Sequence, residues 1–193
     1  MKRNKILQMI GILLILGSCG ILLFSRMSAQ KARTEAAEIV TEIRRSLPEK
    51  SFGTMESFSS MSMPVHQIGG KDFSALLEVP AYGVTLPVGD GWEPGSVRSY
   101  PCRFAGSVYD GTLVIGGADQ PGQLDFLDKL EIGTVITVTD MTGAVFCYTV
   151  DRVGRSRTAE AEKLMDAGVD FTLFARDAYS LEYILVRCVA NHQ

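Results

Sequence analysis

The chain has 193 residues, of which 46% are apolar, and this is enough for one globular domain with appendages. Its formal net charge is −3, and both signs are spread along the sequence without the basic stripe that neutralises phosphates, so we expect no nucleic acid partner. The two histidines, His66 and His192, lie in unrelated places, and the four cysteines show neither paired nor metal-type spacing. We therefore expect no disulfide framework, no metal site and no cofactor.

A membrane anchor is predicted at the N-terminus, over residues 1–27. The apolar run from Ile6 to Phe24 follows a short basic tail and is long enough to cross about 30 Å of hydrocarbon. A cleaved signal peptide and a lipoprotein signal are alternatives, the latter because Leu16 to Cys19 resembles a lipobox, but the apolar run continues beyond that point. Basic residues flank both ends of the run, so the charge rule gives little guidance. Because the leading tail is short, we expect a single-pass protein with its N-terminus in the cytoplasm and its domain outside.

Two further segments precede the domain. Residues 28–47 carry Ile39, Ile43 and Leu47 on one narrow stripe and end before Pro48, which predicts a juxtamembrane helix. Such a helix could serve as a spacer, as a clasp on the domain or as a site of self-association. Residues 48–71 are rich in Ser, Met and Gly without a sustained period, and this composition predicts a flexible linker.

Short β-branched runs separated by Gly, Pro and Asp dominate the remainder, residues 72–190, and predict strands. The predicted strands are Ala75 to Val79, Val84 to Val88, Thr112 to Gly116, Val135 to Thr139, Ala144 to Val153, Phe171 to Phe174 and Tyr183 to Val189. Asp140 to Gly143 is expected to be the turn of a hairpin over Val135 to Val153. Helical pieces are expected over Gln123 to Leu130 and Thr158 to Ala167, the second capped by Gly168. Many strands with few helices predict a mainly β barrel or sandwich.

A series of short blocks stands in fixed order between Phe73 and Cys188. They are Leu86-Pro87-Val88, Tyr100 to Phe104 with Gly106-Ser107, Leu113 to Gly117, Phe126-Leu127 with Leu130 and Gly133, Thr139 to Gly143 with Tyr148 and Val150, Phe171 to Phe174, and Val186-Arg187-Cys188. None is specific alone, but together they resemble the catalytic domain of the sortases, nearest the class B-like branch. The resemblance implies an eight-stranded β-barrel with short helices behind an N-terminal transmembrane helix.

Sortases cut a sorting signal and join the new carboxyl group to a cell-wall or pilus amine. They use a cysteine thiolate, a histidine that moves protons and an arginine that stabilises the oxyanion. The resemblance aligns these three positions with Ala118, Arg176 and Tyr183, so all three catalytic side chains are replaced. Adjacent residues supply no substitute. Loss of a protease nucleophile alone lowers turnover by about 10⁶, so we expect no sortase catalysis.

The resemblance also implies a remodelled peptide groove. Its candidate peptide-binding residues are Arg176, Asp119, Tyr183, Trp92 and Tyr100. Arg176 either pairs with Asp119 or a neighbouring Asp177, which would plug the groove, or stays available for a peptide carboxylate or carbonyl.

We therefore expect a catalytically inactive, sortase-like protein at the outer face of the membrane. Its expected partner is a sorting-signal-like peptide or a protein of cell-wall or pilus assembly. One alternative is a divergent cysteine transpeptidase or hydrolase that uses Cys188 or Cys102. Another is a structural accessory of an active sortase, acting through residues 28–47 or the barrel exterior.

Overall fold

The computed structural model describes residues 14, 30–31, 33–48, 62–165, 168–177 and 179–191, together with the backbone of 51–52. Strands are the predominant secondary structure in this part of the chain. In chain order the elements are α1 (33–46), β1 (Ser51–Phe52), β2 (His66–Ile68), β3 (Lys71–Val79), β4 (Val84–Gly89), β5 (Cys102–Ala105), β6 (Leu113–Ala118), β7 (Val135–Asp140), β8 (Ala144–Ser156), α2 (Ala161–Met165), β9 (Phe171–Arg176) and β10 (Tyr183–Ala190). Short 3₁₀ turns occupy Pro80–Tyr82 and Leu127–Lys129.

Eight of the described strands close into a barrel. The pairing runs β8-β10-β9-β6-β5-β4-β3-β7 and returns from β7 to β8, while β1 and β2 add to β8 and β3 from outside this circle. The predicted eight-stranded, mainly β barrel is therefore confirmed. The interior is filled by alternate apolar side chains from the barrel strands other than β5, such as Leu77, Val88, Ile115, Leu173 and Val186.

The hairpin of β7 and β8 was predicted correctly. Its pairs run from Val135 opposite Thr149 to Thr139 opposite Val145. Asp140 shapes the turn, because its Oδ1 accepts hydrogen bonds from the backbone N–H of Thr142 at 2.8 Å and of Ala144 at 2.9 Å.

The two predicted helical pieces are shorter in the structure. Gln123 to Leu130 contains only the 3₁₀ turn, and of Thr158 to Ala167 the described helix covers Ala161–Met165. Gly168 adopts the expected left-handed conformation with φ 66°.

Helix α1 lies against the outer face of the barrel. Ala36, Val40 and Ile43 are buried, whereas the predicted stripe residues Ile39 and Leu47 are half-buried, so the apolar face is rotated toward the side of Val40. The surface beneath the helix is formed by Phe73, Leu76, Tyr100, Cys102 and Met141. Ion pairs of 2.7 Å join Glu35 to Lys71 and Arg44 to Glu78. Exposed pairs contribute only about 0–1 kcal/mol each, so apolar burial holds the helix in place.

The segment predicted as a flexible linker, 48–71, is ordered at its C-terminal end. Strand β2 pairs with the start of β3, with Ile68 opposite Lys71. Gly69 and Gly70, which suggested a linker by composition, both have positive φ, 59° and 77°. Two such residues in succession form the tight turn of a hairpin, which explains why glycine is needed here.

The predicted membrane anchor, residues 1–27, lies outside the described residues apart from Leu14. Within the part of the chain that the structure describes, no helix has the length and apolar character needed to span a membrane.

Candidate functional site

Three neighbouring strands bring Ala118, Arg176 and Tyr183 side by side. Ala118 ends β6 and pairs with Arg176 at the end of β9, and Arg176 pairs in turn with Tyr183 at the start of β10. Paired residues project from the same face of a sheet. We call these residues the strand-end trio; they are the positions that the sequence resemblance aligned with the histidine, cysteine and arginine of the sortases.

The trio projects from the outer face of the barrel. On β9 the side chains alternate, so Ala175 belongs to the interior core while Phe174 belongs to an outer cluster. Arg176 shares the outer face with Phe174, and Tyr183 packs against the same outer cluster. A site formed by these residues therefore opens outward rather than into the barrel.

A cavity of about 790 Å³ lies over the trio. Its walls come from the loop 90–101 between β4 and β5, the end of β6 with the residues that follow it, and residues 177 and 179–181 between β9 and β10. The lining residues are Trp92, Pro94, Val97, Arg98, Gly117, Ala118, Asp119, Gln120, Phe174, Arg176, Asp177, Tyr179, Ser180, Leu181 and Tyr183. Four of the five predicted peptide-binding residues, Arg176, Asp119, Tyr183 and Trp92, thus come together.

Tyr100, the fifth, does not line the cavity. It is 1% exposed and its ring packs on Phe73 beneath α1, with 5.0 Å between ring centroids. The sequence placed Tyr100 in a loop, but could not show that this end of the loop is covered by the helix. Tyr100 is therefore a core residue.

An aromatic cluster of Trp92, Phe104, Phe174 and Tyr183 forms the apolar side of the site. Trp92 stacks on Phe174 with 5.5 Å between centroids, and Tyr183 meets the edge of Phe174 at 5.9 Å. The stack lies directly on the backbone of β6, because a Cβ at Gly116 would come within 2.6 Å of Cζ3 of Trp92. Trp92 remains 39% exposed, so its ring both packs at the barrel end and faces solvent.

Two glutamines fasten the loop 90–101 to the end of β6. Gln123 is 2% exposed; its carbonyl accepts a hydrogen bond from the backbone N–H of Ala118, and its amide donates to the carbonyl of Val97 at 3.0 Å. Gln120 donates to the carbonyl of Arg98 at 2.7 Å. The wall that carries Trp92 and Arg98 is thus fixed relative to the trio before any ligand arrives.

The charged residues of the cavity are paired unequally. Asp177 forms an ion pair with Arg155 and accepts hydrogen bonds from the backbone N–H of Tyr179 and Ser180. The hydrogen bond from Arg155 is the main cause that lowers the pKa of Asp177 to about 2. Among the described residues, Arg176 forms no ion pair, so it does not plug the groove through Asp119 or Asp177 in this structure.

The cysteines proposed as alternative nucleophiles lie elsewhere. Cys102 is on β5 beneath α1 rather than in a loop, and Cys188 faces the barrel core on β10. Both are fully buried, and burial raises the pKa of each thiol to about 12. No cysteine or histidine is among the described residues that line the cavity. His66 is on β2, and His192 lies outside the described residues.

Several residues of the site had no counterpart in the sequence prediction, namely Arg98, Phe104, Gln120, Gln123 and Phe174 in its role as the apolar floor. Only Phe174 carried a usable signal, since strand alternation puts it on the same face as Arg176. Arg98, Gln120 and Gln123 depend on contacts between loops that are distant in sequence, and Phe104 lies on β5, a strand that the sequence did not predict.

Comparison with solved structures identifies the fold. No known protein family matches the sequence, and no curated protein matches it. Sortase D5, a transpeptidase from Clostridium perfringens, matches 86% of this chain over 99% of its own, with a TM-score of 0.56 and 16% identity. Sortase C from the same organism was solved with the C-terminal cell wall sorting motif. It matches 89% of this chain over 100% of its own, with a TM-score of 0.55 and 14% identity. Sortase C1 from Streptococcus suis matches 63% of this chain over 74% of its own, with a TM-score of 0.53 and 21% identity.

The closed barrel and its strand-end cavity thus define a mainly β protein with an outward-facing groove. Its fold is that of the sortases, as the sequence resemblance implied. At these identities the likeness establishes the fold alone, and the class B-like assignment stays a prediction.

Proposed function

We propose that this chain is a sortase-like protein without sortase activity, held at the outer face of the membrane, and that its cavity binds an extended peptide. In this proposal the ligand is a sorting-signal-like peptide or a segment of a protein of cell-wall or pilus assembly. The location rests on the apolar segment 6–24 and on the expected orientation of that segment.

The strand-end trio is the single observation that carries the proposal. Its members line one cavity in lateral register, and they offer a methyl group, a guanidinium and a phenol. Acyl transfer by a sortase needs a thiolate to attack the carbonyl and an imidazole to move protons. Neither group is among the lining residues that the structure describes, and this supports a site that binds a peptide without the thiol chemistry of a sortase.

The form of the cavity favours a peptide ligand. It combines an aromatic floor with a few polar groups, and its loop wall is held in place by buried hydrogen bonds from Gln123. Preformed sites of this kind lose little entropy on binding. The solved sortase C with a sorting motif adds support, because that protein presents the same fold to a peptide.

The relocated-cysteine enzyme is less well supported. A thiol with a pKa of about 12 is ionised to about 1 part in 10⁴ at pH 8, and only the thiolate attacks a carbonyl. Cys102 and Cys188 are also closed off from solvent, so a peptide could not reach either sulfur without local opening of the barrel.

The accessory role through 28–47 also has less support. The apolar face of α1 is occupied by the barrel, where Val40 and Ile43 are buried. Self-association through this helix would have to use its polar face or displace it from the domain.

The proposal is tested with the full chain, purified in detergent and incubated with a library of sorting-signal peptides. Cleavage is scored by mass spectrometry and affinity by fluorescence anisotropy, with an active sortase as the positive control for cleavage. We expect binding without cleavage, and weaker binding after Arg176→Ala. Peptide cleavage that disappears in Cys102→Ala or Cys188→Ala would overturn the proposal in favour of the cysteine enzyme. Absence of binding to every peptide would overturn the assigned ligand class.

A further inference from the structure

We propose that the cavity recognises the end of a peptide, a free C-terminal carboxylate carried by a residue with an apolar or aromatic side chain. This inference rests on the proposed function, since it names the part of the peptide that the site selects.

Two arginines on the cavity walls favour a ligand with an anionic group. Arg98 and Arg176 are exposed on its walls, and among the described residues neither forms an ion pair. The carboxylate of Asp177 is already neutralised by Arg155. The lining itself has two guanidinium groups and two carboxylates, and Asp177 is paired outside the lining, so Arg98 and Arg176 are the cationic groups that a ligand anion can meet.

A carboxylate satisfies a guanidinium better than a peptide carbonyl does. The planar fork of an arginine donates two parallel hydrogen bonds to the two oxygens of a carboxylate, and charge-assisted bonds are about twice as strong as neutral ones. A neutral carbonyl would accept a hydrogen bond from Arg176 but would leave the charge of the guanidinium without a counter-ion.

The spacing between cation and apolar surface fits one terminal residue. The ring of Phe174 is 1% exposed, so the surface of the aromatic cluster open to a ligand is that of Trp92 and Tyr183. Tyr183 is paired directly opposite Arg176, and paired residues have Cβ atoms about 4.5–5.5 Å apart. A terminal residue carries its carboxylate and its side chain on the same Cα. It can therefore direct the carboxylate to Arg176 while its side chain packs on the rings of Trp92 and Tyr183.

Asp177 and residues 179–181 of the loop between β9 and β10 lie beside Arg176 in the cavity lining. Strand β9 ends at Arg176, and Tyr179 and Leu181 of this loop line the cavity immediately after it. Asp177 stabilises the loop through the N–H groups of Tyr179 and Ser180, at 2.8 and 3.1 Å. The last residue of the peptide thus lies beside Arg176 and these lining residues, where its carboxylate reaches the guanidinium.

The test compares matched ligands on the full chain in detergent. N-acetylated hexapeptides of random sequence, ending in phenylalanine or leucine, are prepared as free acids and as amides. A third set ends in an amide but carries an internal aspartate before the last residue, and inorganic phosphate serves as a competitor. Binding is followed through Trp92, which is the single tryptophan of the chain and lies in the site. We expect the acids to bind roughly 10- to 100-fold more tightly than the amides, the range for loss of hydrogen bonds to a charged group.

The variants assign that preference to particular residues. Arg176→Ala should remove the acid-over-amide ratio, and Arg176→Lys should keep the charge but reduce the ratio, because a lysine lacks the fork. Arg45→Ala is the matched control, since Arg45 is exposed on α1 and does not line the cavity. A role of Arg176 in folding alone would weaken acids and amides equally, and that outcome would contradict the inference.

The remaining outcomes separate this inference from the proposed function. Equal binding of acids and amides would overturn the carboxylate while leaving peptide binding intact. Equal binding of the internal aspartate peptides would overturn recognition of the chain end. Displacement of the acids by phosphate below 1 mM would show a general anion site and would also overturn the inference. Failure of every peptide to bind would defeat the proposed function itself.

Discussion

The packing of the aromatic cluster on Gly116 yields the sharpest stability prediction. Replacement by alanine adds a Cβ on the outer face of β6, where it meets the end of the Phe174 ring and comes within 2.6 Å of Cζ3 of Trp92. Contacts this short require the rings to move. Gly154, on β8, provides the matched control, because a Cβ at that position would have nothing within 4 Å.

The size of the effect follows from the two rings. Overpacking a closely packed site costs about 1–3 kcal/mol, and separating a stacked aromatic pair costs about 0.5–1.5 kcal/mol beyond the loss of buried area. Trp92 is 39% exposed and can swing outward, which relieves part of the strain. We therefore expect Gly116→Ala to lower the free energy of unfolding by about 1–2 kcal/mol. Gly154→Ala should leave it unchanged or raise it by about 0.5 kcal/mol, since alanine reduces the entropy of the unfolded chain.

Urea unfolding followed by circular dichroism measures both variants, and the emission of Trp92 reports on the ring itself. In Gly116→Ala the emission maximum should shift to the red as the indole enters solvent, and affinity for peptides should fall. If Gly116→Ala matched Gly154→Ala in both stability and emission, the stacked arrangement of Trp92 and Phe174 on β6 would be refuted.

The other predictions concern the loss of folding stability at low pH and the reactivity of the buried thiols. The pKa of Asp177 is lowered from 3.8 to about 2, chiefly by its hydrogen bond from Arg155. The ionised carboxylate therefore stabilises the fold above about pH 4, and this contribution is lost as the pH falls through about 2. Asp177→Asn should therefore be less stable than the parent chain in urea at pH 7, and the difference should vanish near pH 2; a constant difference would contradict this ion pair. Cys102 and Cys188, buried with pKa values of about 12, should resist alkylation at pH 8 in the folded protein and react fully in urea, as judged by peptide mapping. Fast alkylation of either cysteine in the folded protein would show that its burial is wrong.

Local patterns made part of the fold predictable. The hairpin of β7 and β8 follows from two β-branched runs around Asp140 to Gly143, and all its determinants lie within one stretch of sequence. Strand β5 was missed because Cys102–Ala105 is short and pairs with strands that approach from either side. Gly69 and Gly70 were misinterpreted because composition alone does not distinguish a linker from a tight turn.

The candidate site was predictable only where strand order determined it. Ala118, Arg176 and Tyr183 could be brought together because the resemblance supplied the order of the strands that carry them. Arg98 and Tyr100 lie in the same loop, yet one lines the cavity and the other is buried beneath α1. That difference depends on a helix more than fifty positions away in sequence, and no local pattern encodes it.

The packing of α1 also determines how much of the chain is needed for a folded unit. The barrel closes between β4 and β5 through a single residue pair, Gly89 with Cys102, which is its weakest joint. Helix α1 covers that joint, because Val40 and Ile43 pack in one cluster with Tyr100 and Cys102. A fragment cut just before β2 would keep every barrel strand but would leave the joint exposed to water. We therefore expect a fragment that begins at β2 to be less stable than a chain that includes α1.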